Sequence, residues 1–245
     1  ADNGGAVNKA ITTPTGAMHL NGDSDNSTTA DDTDTVAFAD VLTITAATVL
    51  TLAAKTGSIT AAGALTLKAT AGIVIQDDLT AAGSAGTKPL YINADTDGGS
   101  NTATLTVQTA KTLTSNNNHL YITTYDLDLD GSIVTGTAGT KIHGSTDETI
   151  GVGATAKDMH IEGLELQRIT SSGLEVGSSV SGDITVATVQ AAHSDKVSGV
   201  VALIATKDDK KVTFATTDST FNALSVQADN GVAVSKDIVT DTGAL

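Results

Sequence analysis

Short runs of alternating apolar and polar residues, separated by small and polar turn residues, dominate the chain from residue 41 onward. An alternation with period two places the apolar side chains on one face of a β-strand. Thr, Val and Ile are common in these runs, and their branched Cβ atoms favour extended backbone. The clearest runs are Leu42–Thr45, Leu65–Lys68, Ile73–Gln76, Leu90–Asn93, Leu105–Gln108 and Leu120–Thr123. The sequence therefore predicts an all-β protein made of many short strands.

The spacing of these runs favours a parallel β-helix, or β-solenoid, with irregular short-strand rungs. Apolar positions recur at steps of 8 or 15 residues: Ile44 to Leu52, Leu67 to Ile75, and Ile92 to Val107 to Ile122. Three strand-and-turn steps of about 7–8 residues make a rung of about 20–25 residues that stacks on the rung below. An antiparallel β-sandwich is the alternative, and it predicts tight Asn-Gly or Asp-Gly hairpins. Most connections are longer than that, so we expect the solenoid.

The first 40 residues carry fewer strand signals than the rest of the chain. We expect residues 1–40 to form a polar acidic arm or irregular first rungs, and residues 41–245 to form the β-solenoid. The acidic stretch Asp23–Asp34 is interpreted as solvated sequence, and Asn26 opens an Asn-Ser-Thr triplet, the acceptor pattern for N-glycosylation. Gly163–Ile169 fits either one helical turn or an alternating strand, and both alternatives stay open.

Charge and composition exclude several classes of protein. The net charge is −15, and Arg168 is the only arginine, so the chain lacks the cations that neutralise nucleic-acid phosphates. No apolar run approaches the roughly 20 residues of a membrane-spanning helix. Without cysteine there is no disulfide framework and no thiolate metal site. We therefore expect neither a nucleic-acid partner nor membrane insertion.

Three carboxylates at alternate positions are the main candidate for site chemistry. Asp126, Asp128 and Asp130 would share one face of a strand, while the intervening leucines point inward. Mutual repulsion among three carboxylates would be relieved by a calcium ion bound across neighbouring rungs. The alternative is a solvated acidic face closed by a turn. Thr137 stands where a calcium loop starting at Asp126 would need its bidentate glutamate, so the match to such a loop is incomplete.

Catalytic chemistry finds little support in the sequence. The five histidines are far apart along the chain, at His19, His119, His143, His160 and His193. Some β-helix proteins cleave acidic polysaccharides, but a chain this acidic is poor in the cations needed to hold an anionic sugar. We therefore expect no enzyme activity, no catalytic residues and no cofactor other than calcium.

Several segments resemble the repeats of large secreted β-helix proteins of the filamentous-haemagglutinin and adhesin type. The segments that carry the resemblance are Thr56–Leu67, Leu127–Ile133, Thr149–Gly153, Leu166–Gly177 and Gly182–Val186. The resemblance concerns the style of the repeat and covers roughly residues 41–240. It implies a right-handed parallel β-helix, secretion, and a structural or adhesive role without catalytic residues.

These observations lead to one expected function and one alternative. The expected function is that of an extracellular structural protein at the cell surface. In it, β-solenoids stack head to tail into a self-associating filament, fibre or sheath, so the main partner is a second copy. Strand character continues to Val232–Val234 and Ile238–Val239, which favours continuation of the stack. The alternative is an adhesin passenger segment that binds glycans or cell surfaces. A start at Ala1 rather than Met favours secretion with loss of a leader.

Overall fold

The computed structural model describes residues 4–24, 34–83, 86–99 and 101–242, and nearly all of its regular structure is strand. Strands are numbered here in chain order. Sheet A contains β1 (Gly5–Val7), β4 (Val36–Phe38), β7 (Ile59–Ala61), β10 (Leu79–Ala81), β13 (Thr112–Thr114), β16 (Ser132–Val134) and β20 (Ile169–Thr170). Sheet B contains β2 (Ile11–Thr12), β5 (Leu42–Ala46), β8 (Leu65–Ala69), β11 (Leu90–Asn93), β14 (Leu120–Thr123), β17 (Thr140–His143), β21 (Leu174–Ser178), β23 (Val201–Ala205) and β26 (Leu224–Ala228).

The remaining strands form three further sheets. Sheet C contains β3 (Met18–Asn21), β6 (Leu50–Ala53), β9 (Ile73–Ile75), β12 (Thr104–Val107) and β15 (Asp126–Leu129). Sheet D has the order β19 (Met159–Ile161), β18 (Ile150–Gly153), β22 (Ile184–Ala187), β24 (Val212–Phe214) and β27 (Val232–Val234). Sheet E pairs β25 (Ser219–Phe221) with β28 (Ile238–Thr240). Two short helices, α1 (Gly163–Gln167) and α2 (Ala191–Ser194), interrupt the later rungs.

Consecutive strands belong to different sheets, and each strand pairs with the strand one rung away. Every strand pair among the described residues is parallel. The fold is therefore a parallel β-helix, as the spacing of the apolar runs predicts. The antiparallel β-sandwich is wrong, because its neighbouring strands would have to run in opposite directions.

The register explains the two spacings in the sequence. Leu42, Leu65 and Leu90 stack directly on one another, so these two rungs take 23 and 25 residues. Ile92 lies beside Ile122 in sheet B. Val107 lies between them in the sequence but belongs to sheet C. A step of 15 residues therefore leads from one face of the solenoid to another, and two such steps complete a rung.

The core consists of inward-pointing side chains stacked in columns along the solenoid. Alternate residues of most strands are buried, as in Leu42, Ile44 and Ala46 of β5. Burial of such aliphatic side chains stabilises the fold by about 25 cal/mol per Å² of apolar surface removed from water. The outward positions hold mainly threonine and other polar residues, which suit the pleated surface that faces water.

Strand pairing extends into the segment before residue 41. β1, β2 and β3 pair in parallel with β4, β5 and β6, so the predicted boundary at residue 40 does not coincide with a break in strand pairing. The expectation that the acidic stretch is solvated is wrong for Asp23 and Asp34, which are both buried. The Thr56 hydroxyl lies 2.9 Å from Asp23 Oδ2 and 2.7 Å from Asp34 Oδ2. Asn26 lies outside the described residues.

One rung departs from the regular order. After β18 the chain doubles back to β19, which pairs with the side of β18 opposite β22 and lies next to β15. The ambiguous segment Gly163–Ile169 then forms α1, and Ile169 begins β20. β19 and α1 therefore fill the place where the ladder of sheet C would otherwise continue directly into the next rung.

Candidate functional site

The seam between sheets C and D forms a polar cleft on the side of the solenoid. Its volume is about 360 Å³. It is lined by Asp126, Leu127, Asp128, Asp130, His160, Glu162, Glu165 and Arg168. β15 supplies the first wall, and β19 and α1 supply the second. The predicted calcium ligands therefore lie in the same cleft as three acidic or basic residues of the irregular rung.

Side chains cap the edge of β15 at this seam. Glu165 Oε1 accepts a hydrogen bond of 2.8 Å from the Leu129 amide, and Arg168 Nη1 donates one of 2.6 Å to the Leu129 carbonyl. At the other end of the strand, Asp126 Oδ1 accepts a hydrogen bond of 2.8 Å from the His160 amide. An unpaired strand edge costs free energy when it is shielded from water. These contacts therefore replace the ladder that a regular rung would supply.

Glu165 is the most strongly perturbed acid of this cleft. It is buried, and its second oxygen, Oε2, accepts a hydrogen bond of 2.8 Å from the Glu162 amide. Burial raises the pKa of Glu165 to about 7, against the hydrogen bonds from the Leu129 and Glu162 amides, which lower it. The negative charges of Asp126 and Glu162 raise the pKa further. Both carboxylate oxygens are engaged with backbone groups, so the geometry gives Glu165 a structural role.

The raised pKa of Glu165 predicts that the fold loses stability as pH rises. In the unfolded chain this carboxyl titrates near its ordinary value of 4.5, so its contribution is complete below that pH. The contribution is lost as pH rises through about 7. The loss is at most about 3 kcal/mol, because each pKa unit corresponds to about 1.4 kcal/mol. Urea unfolding at pH 5 and pH 8 measures it, and Glu165→Gln should flatten the decline. An equal decline in wild type and variant would contradict this assignment.

The three predicted calcium ligands have different surroundings. Asp126 is half-buried, and burial raises the pKa of its carboxyl. Asp128 is exposed on the same strand, and Asp130 is exposed just beyond it, with Oδ1 3.9 Å from Arg168 Nη1. In the part of the chain that the structure describes, no three acidic or histidine side chains are grouped closely enough to hold a metal ion. The calcium site stays a prediction without support from side-chain placement.

Sequence reasoning missed the residues that organise this cleft. His160, Glu165 and Arg168 are 30 or more residues from the strand edge they cap, so no local motif joins them to Asp126 or Leu129. The only signal was the ambiguous pattern of Gly163–Ile169, where strand alternation weakens. His160 Nε2 lies 2.8 Å from the Gly153 carbonyl oxygen, so its ring is held between β19 and β18.

The histidines and the surface were also considered as sites of other chemistry. His143 is largely buried, and burial lowers the pKa of its imidazole. His193 packs against Gly163, where a Cβ atom would lie 2.2 Å from the imidazole ring. Neither helix of the described segments has the length and apolar character required to cross a bilayer.

Comparison with known proteins leaves the seam as the main structural clue at this site. No family model, curated protein or solved structure matches the chain. The resemblance to filamentous-haemagglutinin-like repeats therefore remains a hypothesis drawn from the style of the repeat.

Proposed function

We propose that this chain is an extracellular structural protein, a subunit or segment of a filament or sheath in which β-solenoids stack end to end. The observation that carries the proposal is the open edge of the last described rung. This open edge comprises β26, β27 and β28, each of which lies at the outer side of its sheet. Among the described residues no helix covers it, since both helices lie in earlier rungs.

Two core columns run out to the surface at this edge. One column ends at Val232 and the other at Val234, which stack on Val212 and Phe214 of the previous rung. Val212 and Phe214 are buried, but Val232 is 44% exposed and Val234 is 58% exposed. These valines occupy inward positions and lack a covering rung, so a further rung would remove their apolar surface from water.

Backbone chemistry at the open edge favours the same event. An edge strand offers amides and carbonyls that pair readily with another chain, and proteins often protect such edges with inward-pointing charges or proline. β27 contains only Val232, Ala233 and Val234, so it has neither protection. Head-to-tail contact between different surfaces of identical subunits produces an open fibre. Self-association through parallel pairing at this edge follows.

Substitution of Val234 by lysine tests the proposed assembly. The lysine places a charge at the end of a core column, so we expect the association constant between copies to fall at least tenfold. Val180→Lys is the matched control, because Val180 is 42% exposed and lies outside the open edge. Sedimentation velocity over a range of concentrations, with and without millimolar calcium chloride, measures association. Wild type that stays monomeric at every concentration would overturn the proposal, as would equal effects of the two substitutions.

A further inference from the structure

A groove of about 350 Å³ runs along the outer surface of sheet B, far from the open edge in sequence register. Its floor follows four positions, each just before a strand of sheet B: His119, Gly139, Gly173 and Val200. Neighbouring rungs are about 4.8 Å apart, so these four positions span about 14 Å. The groove therefore has the length of a short chain of small rings.

Two glycines create the groove, and the backbone does not require either of them. Neither Gly139 nor Gly173 has a left-handed φ. A Cβ on Gly139 would come no closer than 3.4 Å to another atom, the Gly173 carbonyl oxygen. A Cβ on Gly173 would find its nearest atom, the Val200 carbonyl oxygen, at 3.7 Å. Since side chains fit at both positions, the effect of glycine here is to leave the space between His119 and Val200 open.

An aromatic ladder ends at one side of this groove. The rings of Tyr91 and Tyr121 are stacked, with centroids 4.8 Å apart and planes 11° from parallel. Tyr91 lies one rung before Tyr121, and the groove extends over the rungs after it. Tyr91 thus covers one side of the Tyr121 ring, and the other side faces the groove. The chain has three tyrosines and no tryptophan, so two of its three tyrosines meet at this place.

Polar groups lie beside the aromatic ring without a net charge. Lys141 and Glu175 continue the outward column of Tyr121 in the next two rungs, and Lys141 Nζ lies 2.6 Å from Glu175 Oε1. His119 is exposed, and its ring lies 6.0 Å from that of Tyr121. An apolar ring face next to hydrogen-bonding groups suits a pyranose, which has an apolar C–H face and a rim of hydroxyls.

The strand arrangement argues against a peptide as the occupant. Extended peptides commonly bind by adding a strand to an exposed sheet edge. Here β14, β17 and β21 are central strands, each paired on both sides. An anionic ligand is also disfavoured, because the Lys141 charge is matched by Glu175 and the chain carries a net charge of −15. We propose that this groove binds a neutral oligosaccharide, with one sugar ring stacked on Tyr121 and neighbouring hydroxyls bonded to Lys141 and Glu175.

Neutral oligosaccharides of glucose, galactose and mannose test the groove directly. The wild-type chain is screened against them on an array, and hits are titrated by calorimetry. We expect Tyr121→Ala to weaken binding at least tenfold through loss of stacking, and Gly173→Leu to weaken it similarly by filling the floor. Thr66→Ala is the control, because Thr66 belongs to the same outward column on the far side of Tyr91. It should leave the affinity unchanged, and thermal unfolding checks that all variants fold.

The outcomes separate this groove from the proposed assembly. The groove lies on the flank of the solenoid, so Val234→Lys should leave sugar binding intact even where it prevents self-association. Binding that survives both Tyr121→Ala and Gly173→Leu would overturn the proposal. So would the absence of binding by any neutral sugar at millimolar concentration, or a preference for acidic glycans or peptides. If a variant fails to fold, perturbation of the Tyr121 ring resonances of the wild type by the bound sugar decides the question.

Discussion

Replacement of Gly177 by alanine is expected to lower the free energy of unfolding by about 3 kcal/mol. Gly177 lies in β21 with a φ of 87°, a left-handed conformation that costs an L-residue about 1–2 kcal/mol. A Cβ there would also lie 2.3 Å from the Ile204 carbonyl oxygen, which belongs to the next strand of sheet B. Relief of that contact requires backbone movement, and overpacking of this kind costs about 1–3 kcal/mol. The two costs arise at the same atom.

Gly173 supplies a matched control four residues earlier. Alanine at Gly173 meets neither a left-handed φ nor a close contact, so Gly173→Ala should change stability by less than about 1 kcal/mol. Urea unfolding followed by circular dichroism measures both variants. Similar losses for Gly173→Ala and Gly177→Ala would show that the register of β21 against β23 differs from the one described.

Substitution of Glu165 by alanine is the second large effect. The substitution leaves the amides of Leu129 and Glu162 without their acceptor in a buried position, and each such loss costs about 1–3 kcal/mol. We expect a loss of about 3 kcal/mol at pH 5. The loss should be smaller at pH 8, because burial of the ionised carboxylate already destabilises the wild type above its pKa of about 7.

Asp128→Ala is the control for the loss of a carboxylate from the same cleft. Asp128 is exposed, so its removal should change stability by less than about 0.5 kcal/mol. Thermal and urea unfolding of both variants at the two pH values separate a structural glutamate from a merely acidic surface. A Glu165→Ala variant as stable as Asp128→Ala would contradict the role of Glu165 in capping β15.

Much of the fold follows from local pattern. The runs that begin at Leu42, Leu65 and Leu90 all form strands, and their alternation correctly places the leucines inward. The size of a rung follows from the spacing of these runs, because strand and turn lengths add up along the chain. The doubling back of β18 and β19 was not predictable in this way, since Ile150–Gly153 and Met159–Ile161 both look like ordinary strands.

The candidate site was predicted less well than the fold. Alternation correctly places Asp126 and Asp128 outside the core, but it gives no information on what faces them from another rung. Glu165 meets Leu129 because β19 and α1 are inserted there, and the sequence separation between them is 36 residues. Asp23 and Asp34 show the same difficulty. Their burial depends on Thr56, which reaches them from a later rung.

Electron microscopy of the purified chain tests end-to-end stacking most directly. Samples are compared at several protein concentrations, with and without millimolar calcium chloride. We predict fibres with an axial repeat of about 4.8 Å, the spacing of neighbouring strands, which should be absent or much shorter for Val234→Lys. Uniform separate particles under every condition would contradict self-association through the open edge of β26, β27 and β28.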